Sequence, residues 1–102
     1  MVVTLEHVDA IPPGEGRAFT IGERRLAVFR NRKGEPFATQ ATCPHKSGPL
    51  FDGLVGNCSV ICPLHGKTFD LTNGSCSDPA YSLETYPVRL DENGRVLVEL
   101  ER

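Results

Sequence analysis

The chain has 102 residues, and its 11 Lys and Arg against 13 Asp and Glu give a formal net charge of −2 at pH 7. A chain of this length forms one domain at most, with a single modest core that a bound metal or cluster would help to stabilise. So small a charge imbalance makes no field able to draw in nucleic acid or an anionic membrane, and neither is expected as a partner.

The opening stretch MVVTLEHVDA has no basic n-region, no sustained apolar h-region and no small-residue cleavage site, so no export signal is expected. No apolar run approaches the length of a membrane span. The expected location is the cytoplasm, where thiols stay reduced and paired cysteines more often bind metal than form disulfides. His7 stands alone and reads as an ordinary surface residue. From there on, glycine and proline punctuate the chain, and the short apolar runs between them suit strands rather than helices. RAFTI (17–21) and RLAVFR (25–30) predict a hairpin through Gly22, and the alternation of Leu26 and Val28 with Ala27 and Phe29 suggests a strand covered on both faces. NRKGE (31–35) reads as a turn, and PFATQA (36–41) leads into the first of two unusual loops.

Those loops are ATCPHKSGPL (41–50) and VICPLHGKTF (60–69), each with a cysteine, a proline and a histidine within four residues. The intervening segment carries Gly48, Gly53 and Gly56 and a predicted strand at 58–62, which lets the two loops face each other as hairpin tips. Pro44 and Pro63 follow the cysteines directly, fixing φ and holding the preceding residue extended. Farther along, the one candidate for a helical turn is Ala80–Ser82. ETYPVRL and RVLVEL, separated by DENG, predict a closing hairpin with positive φ in its turn. The expectation is an all-β chain with almost no helix.

Four soft or borderline ligands, Cys43, His45, Cys62 and His65, in the pattern Cys-x-His and Cys-x-x-His, point to one metal-binding centre. A Cys2His2 zinc site uses the same ligands, but zinc modules usually bring a Cys-x-x-Cys knuckle and a separate histidine pair. One Cys and one His in every loop suits a two-iron cluster in which one iron takes both thiolates and the other both imidazoles.

CPHKSGPL followed by CPLHG resembles the Rieske [2Fe–2S] signature, and the likeness extends over nearly the whole chain. The resemblance implies one cluster per chain, with Cys43 and Cys62 on the inner iron and His45 and His65 on the outer iron near the surface. It implies a single domain over 1–102, an antiparallel Rieske-type β-sandwich with a small cluster-binding subdomain at about 42–82 made of two hairpin loops. SDPAYS (77–82) is the counterpart of the proline-containing loop that shields the cluster from a third side. Cys58 lies four residues before Cys62 on a predicted strand, about 13 Å away at roughly 3.3 Å per residue, too far to be a neighbouring ligand. Cys76, in the polar stretch NGSCSDP, is expected as a thiol rather than as a disulfide partner of Cys58.

Two ferric ions and two sulfides carry a core charge of plus two, which two thiolates neutralise, so neutral imidazoles ease reduction relative to a four-thiolate site near about −400 mV. The implied role is one-electron transfer. No substrate pocket, nucleotide loop or mononuclear iron triad is legible, so no catalytic residue is expected and chemistry falls to a partner. Respiratory Rieske proteins add a disulfide and hydroxyl donors near the cluster. Here Gly48 and Leu64 stand at the extra cysteine positions and Lys67 and Phe69 at the hydroxyl positions, so a low-potential, ferredoxin-like type is expected. Within that branch the chain is similar first to the small subunit of assimilatory NAD(P)H nitrite reductase, whose partner is the sirohaem large subunit. The second resemblance is to the ferredoxin of aromatic-ring dioxygenases, which serves a dioxygenase and its reductase. A zinc-stabilised binding module is the remote alternative. The contact face is expected around His45 and His65, with Lys46 and Lys67 on its rim.

Overall fold

The computed structural model describes residues 1–44, 49–63 and 66–100. Three strands, β1 (Val2–His7), β9 (Val88–Leu90) and β10 (Arg95–Glu99), form one sheet with β10 in the middle. A second sheet runs in the order β2 (Glu15–Ile21), β3 (Arg24–Arg30), β4 (Pro36–Gln40) and β8 (Thr85–Tyr86). The chain after the first Cys-Pro-His loop, through the second, makes a third, small sheet of β5 (Leu54–Val55), β6 (Ser59–Ile61) and β7 (Thr68–Asp70). Every pairing between these strands is antiparallel, as expected for a chain whose turns are short.

Strand β3 explains how the pieces are held together. Leu26, Ala27, Val28 and Phe29 are all fully buried, and because successive side chains point to opposite faces they feed two different cores. Leu26 and Val28 pack with Val8, Ile11, Ala38, Val96 and Val98 between the two larger sheets. Ala27 and Phe29 pack on the other side with Leu50, Val60, Phe69, Cys43 and Cys62. The expectation of a strand covered on both faces is met, and one strand becomes the shared wall of the sandwich and the cysteine-bearing lobe. Full burial of Phe29 contributes roughly 1.5–3 kcal/mol to that wall.

The predicted hairpin through Gly22 is present, with Ile21 opposite Arg24. The 31–35 turn does more than reverse the chain. Asn31, fully buried, accepts from the N–H groups of Lys33 and Glu35 and donates to the Glu35 carboxylate and to the Asn57 carbonyl at 2.7 Å. One amide thus closes the β3–β4 turn and ties it to the loop that leads into β6.

The segment ETYPVRL, read as one strand, is two. Thr85–Tyr86 pairs with β4 in the four-stranded sheet, and Val88–Leu90 pairs with β10 in the other. Pro87 sits at the break: it has no N–H to give to a ladder and holds Tyr86 extended, so the chain crosses between sheets at that residue. The little helix present also lies elsewhere than expected. Single 3-10 turns form at Val8–Ala10, where His7 Nδ1 accepts from the Asp9 N–H, and at Leu50–Asp52 over the buried Leu50 side chain. Around Ala80 the chain makes a turn only, because Ser82 is drawn into a bridge with Ser75. His7 is exposed, as expected, but has this capping task. Among the described residues no helix is long and apolar enough to cross a membrane.

The closing hairpin has Gly94 at φ 84°. The Asp91 carboxylate accepts from the N–H groups of Arg95 at 2.9 Å and Asn93 at 2.8 Å, and these bonds, Arg95 first, hold its pKa below the usual carboxylate value. A carboxyl with a lowered folded pKa contributes stability above its unfolded pKa of about 3.9, and that contribution is lost as pH falls through the folded value. Asp91→Asn should therefore lower the Tm at neutral pH, with the gap from the parent narrowing below about pH 4. Thermal unfolding at stepped pH checks it, and a gap constant from neutral to strongly acidic pH would contradict the assignment.

Candidate metal centre

Strand β4 runs directly into the first Cys-Pro-His loop. The base of that loop is closed by a bridge between Thr42 and Pro49 and by the Leu50 N–H, which donates to the Ala41 carbonyl at 3.1 Å. Gln40 braces the base from outside: its amide donates to the Thr42 carbonyl, and its carbonyl accepts from the Glu84 N–H, both at 2.8 Å. Strand β6 delivers the second loop. There the Cys62 N–H donates to the Lys67 carbonyl at 2.8 Å, and the Cys62 carbonyl accepts from the Gly66 N–H at 3.0 Å.

Each cysteine therefore stands at the base of a hairpin tip, and the two bases meet. Cys43 and Cys62 are each 1% exposed and lie in the same core with Phe29, Leu50, Val60 and Phe69. Two thiols buried together in apolar surroundings are the donors that a soft metal ion takes, since a thiolate there needs a positive partner. His45, Lys46 and Gly48 on the first tip, and Leu64 and His65 on the second, lie outside the described residues. Cys58 is exposed and Cys76 half-buried; neither is in a disulfide, and Cys76 Sγ accepts from the Asp78 N–H at 3.3 Å. Phe69 is fully buried in the core that holds both cysteines.

A third wall comes from residues 75–82. Ser75 bridges Ser82 at its neck, Cys76 bridges Phe69, and the Ser77 N–H donates to the Thr68 carbonyl at 2.9 Å, so the segment adds an edge beside β7. Lys67, expected on the rim of the contact face, is only 22% exposed. Its ammonium is 3.3 Å from Asp78 Oδ2 and 5.3 Å from the centre of the Tyr81 ring. The sequence signal for this contact was thin: a lysine two residues after His65, and an Asp-Pro pair at 78–79. The turn after β7 is set by Asp70, whose carboxylate accepts from the Thr72 hydroxyl and N–H; those bonds lower its pKa.

Residues 1–87 match the Rieske [2Fe-2S] domain family. The chain belongs to that family. Relatives of this Rieske domain include dioxygenase ferredoxins and nitrite reductases. The ferredoxin component of the naphthalene 1,2-dioxygenase/salicylate 5-hydroxylase systems of Ralstonia sp. is 31% identical over 96 residues, 92% of this chain and 90% of that one. The nitrite reductase [NAD(P)H] of Emericella nidulans is 38% identical over 89 residues, 78% of this chain but only 8% of the fungal protein. Among solved structures, a Mycobacterium tuberculosis chain assigned as an NADH-dependent nitrite reductase small subunit superposes with a TM-score of 0.90 at 27% identity, covering 100% of this chain and 97% of that one. The Sphingomonas yanoikuyae B1 ferredoxin gives a TM-score of 0.84 at 29% identity, with 99% and 100% covered.

As a Rieske domain the chain has a Rieske-type [2Fe–2S] cluster as its cofactor and acts as an electron carrier. The buried thiol pair fits that group. When bound, the cluster supplies a centre that takes up and releases one electron. The chain's own contribution, among the described residues, is a braced apolar surround: the bases of both tips are closed by hydrogen bonds, Phe69 and Leu50 pack in one core with the two cysteines, and the 75–82 segment is bridged to β7.

Proposed function

We propose that this chain is the small, electron-carrying subunit of an NAD(P)H-dependent nitrite reductase, passing single electrons to a sirohaem large subunit. In this reading Cys43 and Cys62 hold the inner iron, His45 and His65 hold the outer iron, and partners dock on the face around the two histidines. The observation that carries it is the superposition, from end to end, on a chain assigned as a nitrite reductase small subunit. The second reading, the ferredoxin of an aromatic-ring dioxygenase, is favoured by curated relatives with that name whose length and sequence this chain matches over almost their whole extent. The cluster-loaded chain added to a sirohaem nitrite reductase large subunit lacking its own small subunit should stimulate NAD(P)H-dependent nitrite consumption. Stimulation of a dioxygenase and its reductase instead, with none of the nitrite reaction, would transfer the assignment to the second reading.

The carrier is proposed to work at low potential within the Rieske range of about −150 to +300 mV, because Lys67 and Phe69 stand where high-potential relatives present hydroxyl donors. Phe69→Tyr should add one donor whose bond strengthens when the sulfurs gain negative charge. Only the difference between redox states counts, about 0.5–1 kcal/mol of the worth of a hydrogen bond to a charged group, or roughly 20–40 mV upward. Voltammetry of the two proteins side by side measures it; an unchanged or lower potential would remove position 69 from the cluster's surroundings.

A further inference from the structure

The 75–82 segment is tied to the second cysteine loop through one side chain. Lys67 belongs to the ligand loop through its backbone, because its carbonyl accepts the Cys62 N–H at 2.8 Å. Its side chain leaves the loop and ends between the Asp78 carboxylate, at 3.3 Å, and the face of the Tyr81 ring, at 5.3 Å from its centre. Asp78 serves both partners. Oδ2 receives the ammonium while Oδ1 accepts the Ala80 N–H at 3.0 Å, and the Tyr81 N–H donates to the Asp78 carbonyl at 3.1 Å, so the carboxylate that anchors the tip also shapes its Asp-Pro-Ala-Tyr turn. Tyr81 in turn packs on the core that contains Cys43 and Cys62.

We propose that Lys67 is a positioning residue: a latch that ties the 78–81 tip to the second cysteine loop at Lys67 and sets how far water reaches the cluster. The inference rests on the electron-carrier assignment and not on which partner the carrier serves. The backbone bonds at Ser77 and the bridges at Ser75 and Cys76 fix the neck of the segment. The latch acts on the tip beyond them. An ammonium with 22% exposure, shared between a carboxylate and an aromatic face, is screened less than a surface ion pair, and its two contacts close the tip together.

The test uses the cluster-loaded protein with Lys67→Gln, Asp78→Asn, Tyr81→Leu and Lys67→Arg. Two quantities are followed: hydrogen exchange of the Asp78, Ala80 and Tyr81 amides, and the rate at which a ferrous-iron chelator bleaches the reduced cluster. Lys67→Gln should speed both about five- to tenfold, and Asp78→Asn and Tyr81→Leu about two- to fivefold, as loss of contacts of this class raises the open population. Lys67→Arg, which keeps the charge and stacks on tyrosine, should restore the parent rates. The reduction potential separates the latch from simple charge. It should fall in Lys67→Gln, which removes a cation, and rise in Asp78→Asn, which removes an anion, while exchange and bleaching accelerate in both. Parent rates in Lys67→Gln, or acceleration in only one of the two charge variants, would overturn the latch. Should Lys67→Gln fail to retain iron, Asp78→Asn and Tyr81→Leu carry the measurement, and parent rates in both would overturn it equally. If none of the proteins, the parent included, holds a two-iron cluster, the failure belongs to the electron-carrier assignment.

Discussion

Cys43→Ser and Cys62→Ser, produced with iron and sulfide available, are each expected to lack the visible absorption of a [2Fe–2S] centre and to retain only background iron. A serine hydroxyl is a harder donor and stays protonated at neutral pH, so it does not replace a thiolate on iron. Both thiols are 1% exposed and lie in one core, so a serine in either place would be the group nearest the metal and the loss should be complete. Cys58→Ser and Cys76→Ser should keep the parent spectrum. Cys58 is exposed, and Cys76 meets the lobe through its bridge to Phe69 and the Asp78 N–H. His45→Cys or His65→Cys should either lose the cluster or lower its potential, since a thiolate would add negative charge where a neutral imidazole is proposed. Absorption spectra and iron counts across the series decide it. A cluster lost from either the Cys58 or the Cys76 variant would break the four-ligand assignment.

Gly74→Ala is expected to destabilise the protein by about 3–4 kcal/mol, a large part of the roughly 5–15 kcal/mol that holds a domain together. Gly74 has φ 81°, a left-handed conformation that costs a residue with a Cβ about 1–2 kcal/mol. A Cβ there would also overlap the Leu83 carbonyl oxygen, which is backbone and has nowhere to move. The two segments would have to separate, weakening the bonds from the Leu83 N–H to the Gly74 carbonyl and from the Gly74 N–H to the Asp70 carbonyl, both 2.7 Å, each worth about 1 kcal/mol. The neck of the 75–82 segment lies beside this contact, so the cluster should become easier to extract as well. Gly22→Ala is the control: its φ is 62°, but a Cβ there meets nothing within 4 Å, so only the conformational cost applies. At about 4–8 °C per kcal/mol, Gly74→Ala should lower Tm by more than about 12 °C and Gly22→Ala by about half that or less. Equal losses in the two variants would show that the approach to Leu83 is not a constraint.

The amino-acid sequence by itself determined the features whose cause is local. Gly22 and the Asp91–Gly94 run specify tight turns through the backbone they favour, and both hairpins are where those residues place them. The alternation along 26–29 identified a strand with two buried faces, because side-chain direction in a strand follows from residue parity alone. The paired Cys-Pro-His loops pointed to one metal-binding centre, and the structure brings Cys43 and Cys62 into one core, while His45 and His65 lie outside the described residues. Tertiary structure alone decided what depends on distant partners. Leu26 and Ala27 are neighbours with similar apolar character, yet which core each enters depends on which sheet packs on which face of β3. The break at Pro87 was visible as a proline, but its meaning came from β4 and β10 each claiming one side of it. The contacts of Lys67 were not legible in the sequence, because an ion pair across 11 residues, from one loop to another, has no periodicity and no fixed spacing. It exists only once β7 and its bridges have set the two loops side by side.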